Sequence, residues 1–258
     1  MEQSPLFTVS RPRPEASSRL FCFPHAGGGP TAFFDWSGPL GEEIECVCPQ
    51  YRGRGRRLRE KPFESVVEMV GEIAAGLAAW LDRPFAFYGH SLGAIVAFEL
   101  TRELRRSRLP APHHLFVGAA RPPHLGPLFA PIHGLADAEF VAKVRSRYGG
   151  IPDAVANDPE VLQMFLPALR ADMTAFETYR FAPGDPLGLP ISVFAGAEDL
   201  VATPQMLEEW ALHTTSGFNM TILPGGHFFP GLSGRDLIRA LRCGAAAHVN
   251  SRESSIAS

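Results

Sequence analysis

The chain has 258 residues, 45% of them apolar, and a formal net charge of −3 at pH 7. This size and apolar content allow one large α/β core with an insertion, rather than two independent domains. The slightly negative charge argues against nucleic acid as a partner. No apolar run approaches the ~20 residues that would span a membrane, and residues 1–18 show no signal segment. We therefore expect a cytoplasmic protein with no membrane partner.

Apolar, strand-like runs alternate with helix-like stretches along the chain. The strand-like runs begin at Leu20, Ile44, Phe85, His114, Ile191 and Phe218. The helix-like stretches cover residues 66–81, 94–106 and 235–246. This alternation predicts parallel βαβ units, with helices on both faces of a doubly wound, mostly parallel sheet. The Pro-, Ser- and Arg-rich stretch through Arg19 and the polar tail 249–258 are expected to be mobile.

The loop after the first predicted strand reads Pro-His-Ala-Gly-Gly-Gly over residues 24–29. Its glycines allow the backbone to approach a ligand closely, although a flexible loop or a phosphate cradle has a similar composition. No Lys-Ser or Lys-Thr pair follows, which excludes a nucleotide P-loop. We take the amide of Ala26 as a candidate donor to a substrate oxygen.

An arginine run follows the second predicted strand, with five arginines between residues 51 and 59. Such a run fits two roles about equally well. It could be a solvated loop that pairs with Glu42, Glu43 or Glu60, or it could meet an acidic, phosphate-bearing partner.

The four cysteines give no disulfide or metal pattern. Cys46 and Cys48 are two residues apart on a predicted strand, so they share a face and cannot easily bond to each other. Cys22 falls on the first core strand and Cys243 on the last helix, and buried thiols are expected. Because neither a His-Glu-x-x-His nor a Cys-x-x-Cys motif occurs, no metal is expected.

The sequence Gly89-His90-Ser91-Leu92-Gly93 lies between an apolar strand-like run and a helix-like run. This strand, turn and helix context is typical of a nucleophile elbow, in which a strained turn projects the serine hydroxyl from the sheet edge. A glycine-rich turn whose serine only caps a helix is the alternative. The flanking pattern favours Ser91 as the nucleophile. The amide of Leu92 is then the first oxyanion donor, with Ala26 as the second.

Residues 124–189 interrupt the alternation between strands and contain helical patterns at 137–148, 158–169 and 170–180. We predict that this segment, here called the helical insertion, is a lid over the active site. Residues 1–123 and 190–258 would form the core. Met164, Met173 and Phe176 could line a substrate chamber or pack the lid onto the core. Asp172, within a predicted helix, is assigned a lid-anchoring role.

Two late strands are followed by the remaining groups that a serine nucleophile needs. Glu198 and Asp199 follow the strand at Ile191, and His227 follows the strand at Phe218. The order Ser, then acid, then His is that of α/β-hydrolases. We assign His227 as the general base and Asp199 as the acid that orients it, with Glu198 as the competing acid.

Together these segments resemble the type II thioesterases of polyketide and nonribosomal peptide biosynthesis, a family of α/β-hydrolases. The resemblance covers most of the chain and includes residues 23–28, Trp36, residues 49–54, 89–93, 169–172 and 225–229. It implies that the protein removes acyl groups from the phosphopantetheine arm of an acyl or peptidyl carrier protein, an editing activity. The resemblance implies no cofactor, because the substrate itself carries the phosphopantetheine.

Carrier proteins are typically acidic, so Arg54, Arg56 and Arg57 are candidate docking residues. The chain has Tyr51-Arg52-Gly53-Arg54 where the family pattern has Pro-Gly-Arg, which makes the local backbone less certain to match. Two other functions stay open: a general carboxylesterase or lipase with the same triad, and a noncatalytic binding protein of the same fold.

Overall fold

The computed structural model describes residues 6–229 and 234–253, with side chains as far as residue 245 in the last helix. Seven strands form one sheet in the order β1-β3-β2-β4-β5-β6-β7. The strands are β1 (Phe7–Val9), β2 (Ser18–Phe23), β3 (Ile44–Pro49), β4 (Phe85–His90), β5 (Leu115–Gly118), β6 (Ile191–Gly196) and β7 (Phe218–Leu223). All neighbouring strands are parallel except β1, which is antiparallel to β3. The predicted doubly wound, mostly parallel sheet is confirmed.

Helices connect the strands and cover the sheet. They are α1 (Val66–Leu77), α2 (Leu92–Arg106), α3 (Asp137–Tyr148), α4 (Asp153–Ala156), α5 (Pro159–Thr178), α6 (Pro204–Leu207) and α7 (Gly234–Glu253). Short 3-10 helices lie at Pro30–Trp36, Gly55–Arg57, Ala78–Trp80, Pro123–Leu125 and Glu208–His213. Within the described ranges, no helix is long and apolar enough to cross a membrane.

The core lies on both faces of the sheet because successive strand side chains point to opposite sides. In β2, Phe21 and Phe23 join the apolar cluster beneath α1 and α2. Leu20 and Cys22 join the opposite cluster, which includes Leu237 of α7. Strands buried on both faces read as continuous apolar runs, which is why the sequence revealed them.

The expectation of a mobile N-terminal stretch was wrong for residues 6–19, whereas residues 1–5 lie outside the described residues. Phe7–Val9 form β1, paired with Val47–Pro49 of β3. Phe7 is 1% exposed, and its ring lies 5.9 Å from that of Phe21, so core burial fixes this strand. At the other end, α7 continues to Glu253, and residues 254–258 of the predicted mobile tail lie outside the described residues.

The helical insertion has an apolar cluster of its own. Ile132, Phe140 and Val144 pack there against Leu169 and Met173 of α5. The predicted break between two helices at residues 169 and 170 was wrong, because α5 runs unbroken for 20 residues. Its buried side chains recur at helical spacing across that point. That the insertion acts as a lid stays a prediction.

Candidate active site

Ser91 occupies the sharp turn between β4 and α2. Its φ of 53° and ψ of −118° place it outside the regions that most L-residues adopt, which is the strain expected of a nucleophile elbow. Glycine is required on both sides. A Cβ on Gly93 would lie 2.6 Å from the Pro24 carbonyl oxygen, and one on Gly89 would lie 2.5 Å from the Ala94 nitrogen. The backbones around the turn can therefore pack this closely only because Gly89 and Gly93 have no Cβ.

Three side chains from separate loops meet at the carboxyl edge of the sheet. His227 Nε2 lies 3.0 Å from Ser91 Oγ, and His227 Nδ1 lies 2.9 Å from Asp199 Oδ2. Because a carboxylate can only accept, Nδ1 carries the hydrogen and Nε2 is free to accept the serine hydroxyl proton. The geometry is that of a nucleophile, a base and a group that orients the base.

Asp199, and not its neighbour Glu198, reaches His227. The Asp199 side chain is buried, whereas Glu198 is exposed. Asp199 Oδ1 accepts the amides of Val201 and Ala202 at 2.8 and 3.1 Å. Burial by itself would raise the pKa of Asp199, but hydrogen bonds from His227 and these amides outweigh it and lower the pKa. Asp199 is thus held as an anion beside the imidazole.

His90, the variable residue of the serine motif, supports the loop that carries His227. Burial lowers its pKa well below the usual range, so the ring is neutral. His90 Nε2 donates to the His227 carbonyl oxygen at 2.9 Å, which leaves Nδ1 to accept the Tyr88 hydroxyl at 3.2 Å. The motif drew attention to Ser91 but gave no sign of this role for His90.

The two candidate oxyanion donors lie next to Ser91. Leu92 is the first residue of α2, and the first amides of a helix have no acceptor within it. Ala26 lines the same narrow cavity as Ser91 and His227. Gly93 abuts the carbonyls of Phe23 and Pro24, so α2 begins directly against the backbone that leads to Ala26. The oxyanion role of both amides stays a prediction.

A buried ion pair ties the Ala26 loop to the helical insertion. Arg54 Nη1 and Nη2 donate to the two carboxylate oxygens of Asp172 at 2.6 and 2.7 Å. Asp172 also accepts the amide of Gly27 at 2.7 Å, and Arg54 donates to the Gly28 carbonyl at 2.9 Å. Asp172 is 1% exposed. It therefore has the contacts expected of a lid anchor and fixes the backbone next to Ala26.

The predicted docking role of the arginine run needs correction. Arg54 is held by Asp172, and Arg57 is 7% exposed and donates to Glu72 and Glu60 at 2.8 and 2.6 Å. Both guanidinium groups are neutralised by carboxylates inside the fold, so neither is presented to a partner. Arg56 is exposed and donates to the Thr8 hydroxyl at 3.0 Å. Its docking role stays a prediction.

The cavity at Ser91 is small, with a volume of about 20 Å³. Its lining residues are His25, Ala26, Ser91, Val144, Tyr148, Gly150, Leu169, Met173, His227 and Phe228. Of the predicted chamber residues, Met173 lines this cavity, and Phe176 lines a neighbouring groove. Met164 was predicted wrongly, because it is 61% exposed on the outer face of α5. Tyr148 and Phe228 were missed, since an aromatic residue at the end of a helix or loop carries no sequence signal of its own.

The cysteines take no part in this site. Cys22, Cys46 and Cys48 are buried free thiols, whereas Cys243 is exposed, contrary to the expectation of a buried thiol there. Burial raises the pKa of Cys22, which keeps this thiol protonated.

The sheet order and the strained serine turn define an α/β-hydrolase fold. Residues 18–241 match the thioesterase domain family, and the chain belongs to that family. Gramicidin S biosynthesis protein GrsT of Aneurinibacillus migulanus is 38% identical over 214 residues, which are 83% of this chain and 83% of that protein.

Two solved structures extend the comparison. RedJ, a thioesterase from the prodiginine biosynthetic pathway of Streptomyces coelicolor, has a TM-score of 0.84 and 39% identity, covering 90% of this chain and 92% of its own. BorB, the type II thioesterase of the borrelidin biosynthetic cluster, has a TM-score of 0.86 and 32% identity, covering 93% and 97%. The resemblance to type II thioesterases is confirmed.

Proposed function

We propose that this protein is a serine thioesterase that hydrolyses acyl groups from the phosphopantetheine arm of acyl or peptidyl carrier proteins. The observation that carries the proposal is the hydrogen-bond chain from Asp199 through His227 to Ser91 in a member of the thioesterase family. The relatives named for gramicidin S and prodiginine biosynthesis support a carrier-bound substrate. The reaction would be an editing step in polyketide or nonribosomal peptide biosynthesis.

In the first half of the reaction, Ser91 Oγ attacks the thioester carbonyl carbon while His227 Nε2 takes the hydroxyl proton. Asp199 stabilises the imidazolium that forms. The amides of Ala26 and Leu92 donate to the carbonyl oxygen as it becomes an oxyanion, and each such donor typically lowers the barrier by about 3 kcal/mol. The carbon–sulfur bond then breaks, His227 returns the proton to the leaving sulfur, and the acyl group remains on Ser91.

In the second half, water attacks the acyl-serine carbonyl and His227 takes a proton from that water. Collapse of the intermediate returns the proton to Ser91 Oγ and releases the carboxylic acid. This route uses only groups of the chain and the phosphopantetheine of the substrate, so we expect no cofactor and no metal. We also expect the cytoplasm as the location, where the carrier partner would be.

The test is hydrolysis of an acyl-carrier protein and of an oxygen ester with the same acyl group, followed by carrier mass and by acid release. Ser91→Ala and His227→Ala should each lower thioester turnover by roughly 10³-fold or more, because the three groups act as a unit. Ser146→Ala is the matched control, since this exposed serine donates only to the Lys143 carbonyl at 3.1 Å.

Asp199→Asn and Glu198→Gln form a second matched pair. Asp199→Asn should lower turnover by roughly 10³-fold, because the amide no longer holds the imidazole in the required tautomer. Glu198→Gln should leave turnover within about twofold. Near-normal thioester turnover by Ser91→Ala would contradict the mechanism. Serine-dependent ester hydrolysis with a carrier that stays loaded would instead identify a general esterase.

A further inference from the structure

A groove of about 440 Å³ lies beside the Ser91 cavity, and Tyr148 lines both. Ile95, one helical turn after Ser91 on α2, lines the groove. Val201, whose amide binds Asp199, lines it as well. The groove therefore lies next to the candidate catalytic groups, between the core and the helical insertion.

Three arginines from different segments line this groove: Arg121 after β5, Arg147 on α3 and Arg180 after α5. Each is held by backbone carbonyls. Arg121 donates to Gly126 at 2.9 Å, Arg147 to Ala130 at 2.9 Å, and Arg180 to its near neighbours 177 and 179 at 3.0 and 2.8 Å. Carbonyl groups fix the orientation of a guanidinium but do not neutralise its charge.

The positive charge of the groove is not balanced locally. Among the described residues, no carboxylate oxygen forms an ion pair within 4.0 Å of these three guanidinium groups. Glu177 also lines the groove, but its oxygens accept the amides of Ile132 and His133 and the His133 ring. These contacts occupy its carboxylate, and Glu209, the other carboxylate that acts on Arg121, pairs with the His124 ring at 3.0 Å. Three guanidinium groups therefore meet two carboxylates that already have partners.

Arg121 gives an independent sign of a missing ligand. Its Nε atom is buried and has no hydrogen-bond partner within the described part of the chain. Burial lowers the pKa of this guanidinium, and the charges of Tyr148 and Glu209, which raise it, only partly offset that effect. A buried donor without an acceptor is costly, and a ligand oxygen at this point would remove that cost.

The remaining walls of the groove are largely apolar. Phe176 and Phe181 line the groove, together with Leu128 and Phe129, each 39% exposed. The groove thus suits a ligand that combines an apolar stretch with an anionic group. Guanidinium forks match the oxygen geometry of a phosphate.

We infer that Arg121, Arg147 and Arg180 bind the phosphate of the carrier's phosphopantetheine arm while its thioester lies at Ser91. This inference rests on the proposed function. The phosphate joins the arm to the carrier, so it must stay at the surface, and Arg180, which lines the groove, is exposed. The acyl end of the substrate is not joined to the carrier, so it can be enclosed.

The test compares two substrates without any carrier protein: acyl-phosphopantetheine and acyl-pantetheine, which differ only in the phosphate. Arg147→Gln and Arg180→Gln should each lower kcat/KM for acyl-phosphopantetheine by roughly tenfold, the usual effect of losing a hydrogen bond between charged groups. They should leave acyl-pantetheine unchanged. Arg145→Gln is the matched control, because Arg145 also lies on α3 but pairs with the exposed Asp153 outside the groove.

Equal losses with both substrates would overturn the inference, since the arginines would then shape the fold or the acyl site. The same variants are also assayed with acyl-carrier protein as a third substrate. A loss confined to this substrate would overturn the inference as well, because the contact would then be to carrier side chains. Calorimetric titration of Ser91→Ala with phosphopantetheine and with pantetheine tests binding without catalysis. Tighter binding of the phosphorylated compound, lost in Arg147→Gln, is the expected result. Absence of Ser91-dependent hydrolysis of acyl-pantetheine would contradict the proposed function separately.

Discussion

Removal of one partner of the ion pair between Arg54 and Asp172 should be among the most destabilising single changes at the site. The Arg54 side chain is 12% exposed and that of Asp172 is 2% exposed, so either group left alone would be a buried charge without a partner. Removing one partner of such a pair typically costs about 3–5 kcal/mol. Domains of this kind have a total free energy of unfolding of about 5–15 kcal/mol.

We therefore expect Asp172→Ala and Arg54→Ala each to lower the free energy of unfolding by about 3–5 kcal/mol, measured by urea denaturation with an unchanged m-value. The double variant should lose much less than the sum, because it leaves neither charge buried alone. Arg145→Ala is the control. The side chains of Arg145 and its partner Asp153 are 43% and 79% exposed, so this pair should contribute less than about 1 kcal/mol to the free energy of unfolding.

The same pair should affect activity through the Ala26 loop. Asp172→Asn keeps the side-chain shape but weakens its hold on Arg54 and the Gly27 amide, so kcat should fall while KM changes little. The fraction of folded protein is measured in parallel. Additive losses in the double variant, or full activity in Asp172→Asn, would refute the reasoning and leave apolar packing as the link between α5 and the loop.

Two further predictions concern the fold. Burial and the charges of His124 and Arg102 lower the pKa of His213 to about 4, whereas the unfolded chain binds a proton near pH 6.5. His213 alone should thus lower the free energy of unfolding by up to about 3 kcal/mol as the pH drops from 6.5 to 4, in addition to the effects of His25, His90 and His114. His213→Gln should reduce this slope in urea denaturation measured at several pH values; an identical slope would contradict the prediction. Gly93→Ala should destabilise by roughly 1–3 kcal/mol, because its Cβ would meet backbone oxygens. Gly71→Ala in α1, where a Cβ meets nothing within 4 Å, should stabilise by about 0.5–1 kcal/mol in the same denaturation assay; similar effects of both substitutions would contradict the steric argument.

The sequence predicted the sheet and the three meeting side chains because each signal is local. Ser91, Asp199 and His227 each follow a strand that reads as an apolar run, and strand ends of a parallel sheet share one edge. The orientation of Asp199 rather than Glu198 towards His227 depends on the turn after β6, where two amides hold Asp199. Because Glu198 and Asp199 are neighbours in the sequence, the order Ser, acid, His does not distinguish between them.

Contacts between distant segments could not be predicted in this way. Arg54 and Asp172 are 118 residues apart, and no spacing rule relates them. The N-terminal strand was missed because three residues between prolines and polar residues give too short a pattern to recognise. Met164 is exposed because of the rotation of α5 about its own axis. Since a break was predicted within this helix, the sequence could not establish which of its side chains face the core.

The arginines of this protein show that local charge compensation, and not density along the sequence, decides which cations can meet a ligand. The run at residues 51–59 is the most basic stretch of the chain, yet Arg54 and Arg57 are bound to carboxylates within the fold. Arg121, Arg147 and Arg180 are scattered in sequence and held by carbonyls, which orient them at little cost to their charge. A buried cation that is already neutralised would have to lose its partner before binding an anion, and that exchange gains little free energy. A cation fixed by carbonyls would gain the full attraction of an incoming phosphate, so we expect an anionic ligand to bind in the groove beside Ser91.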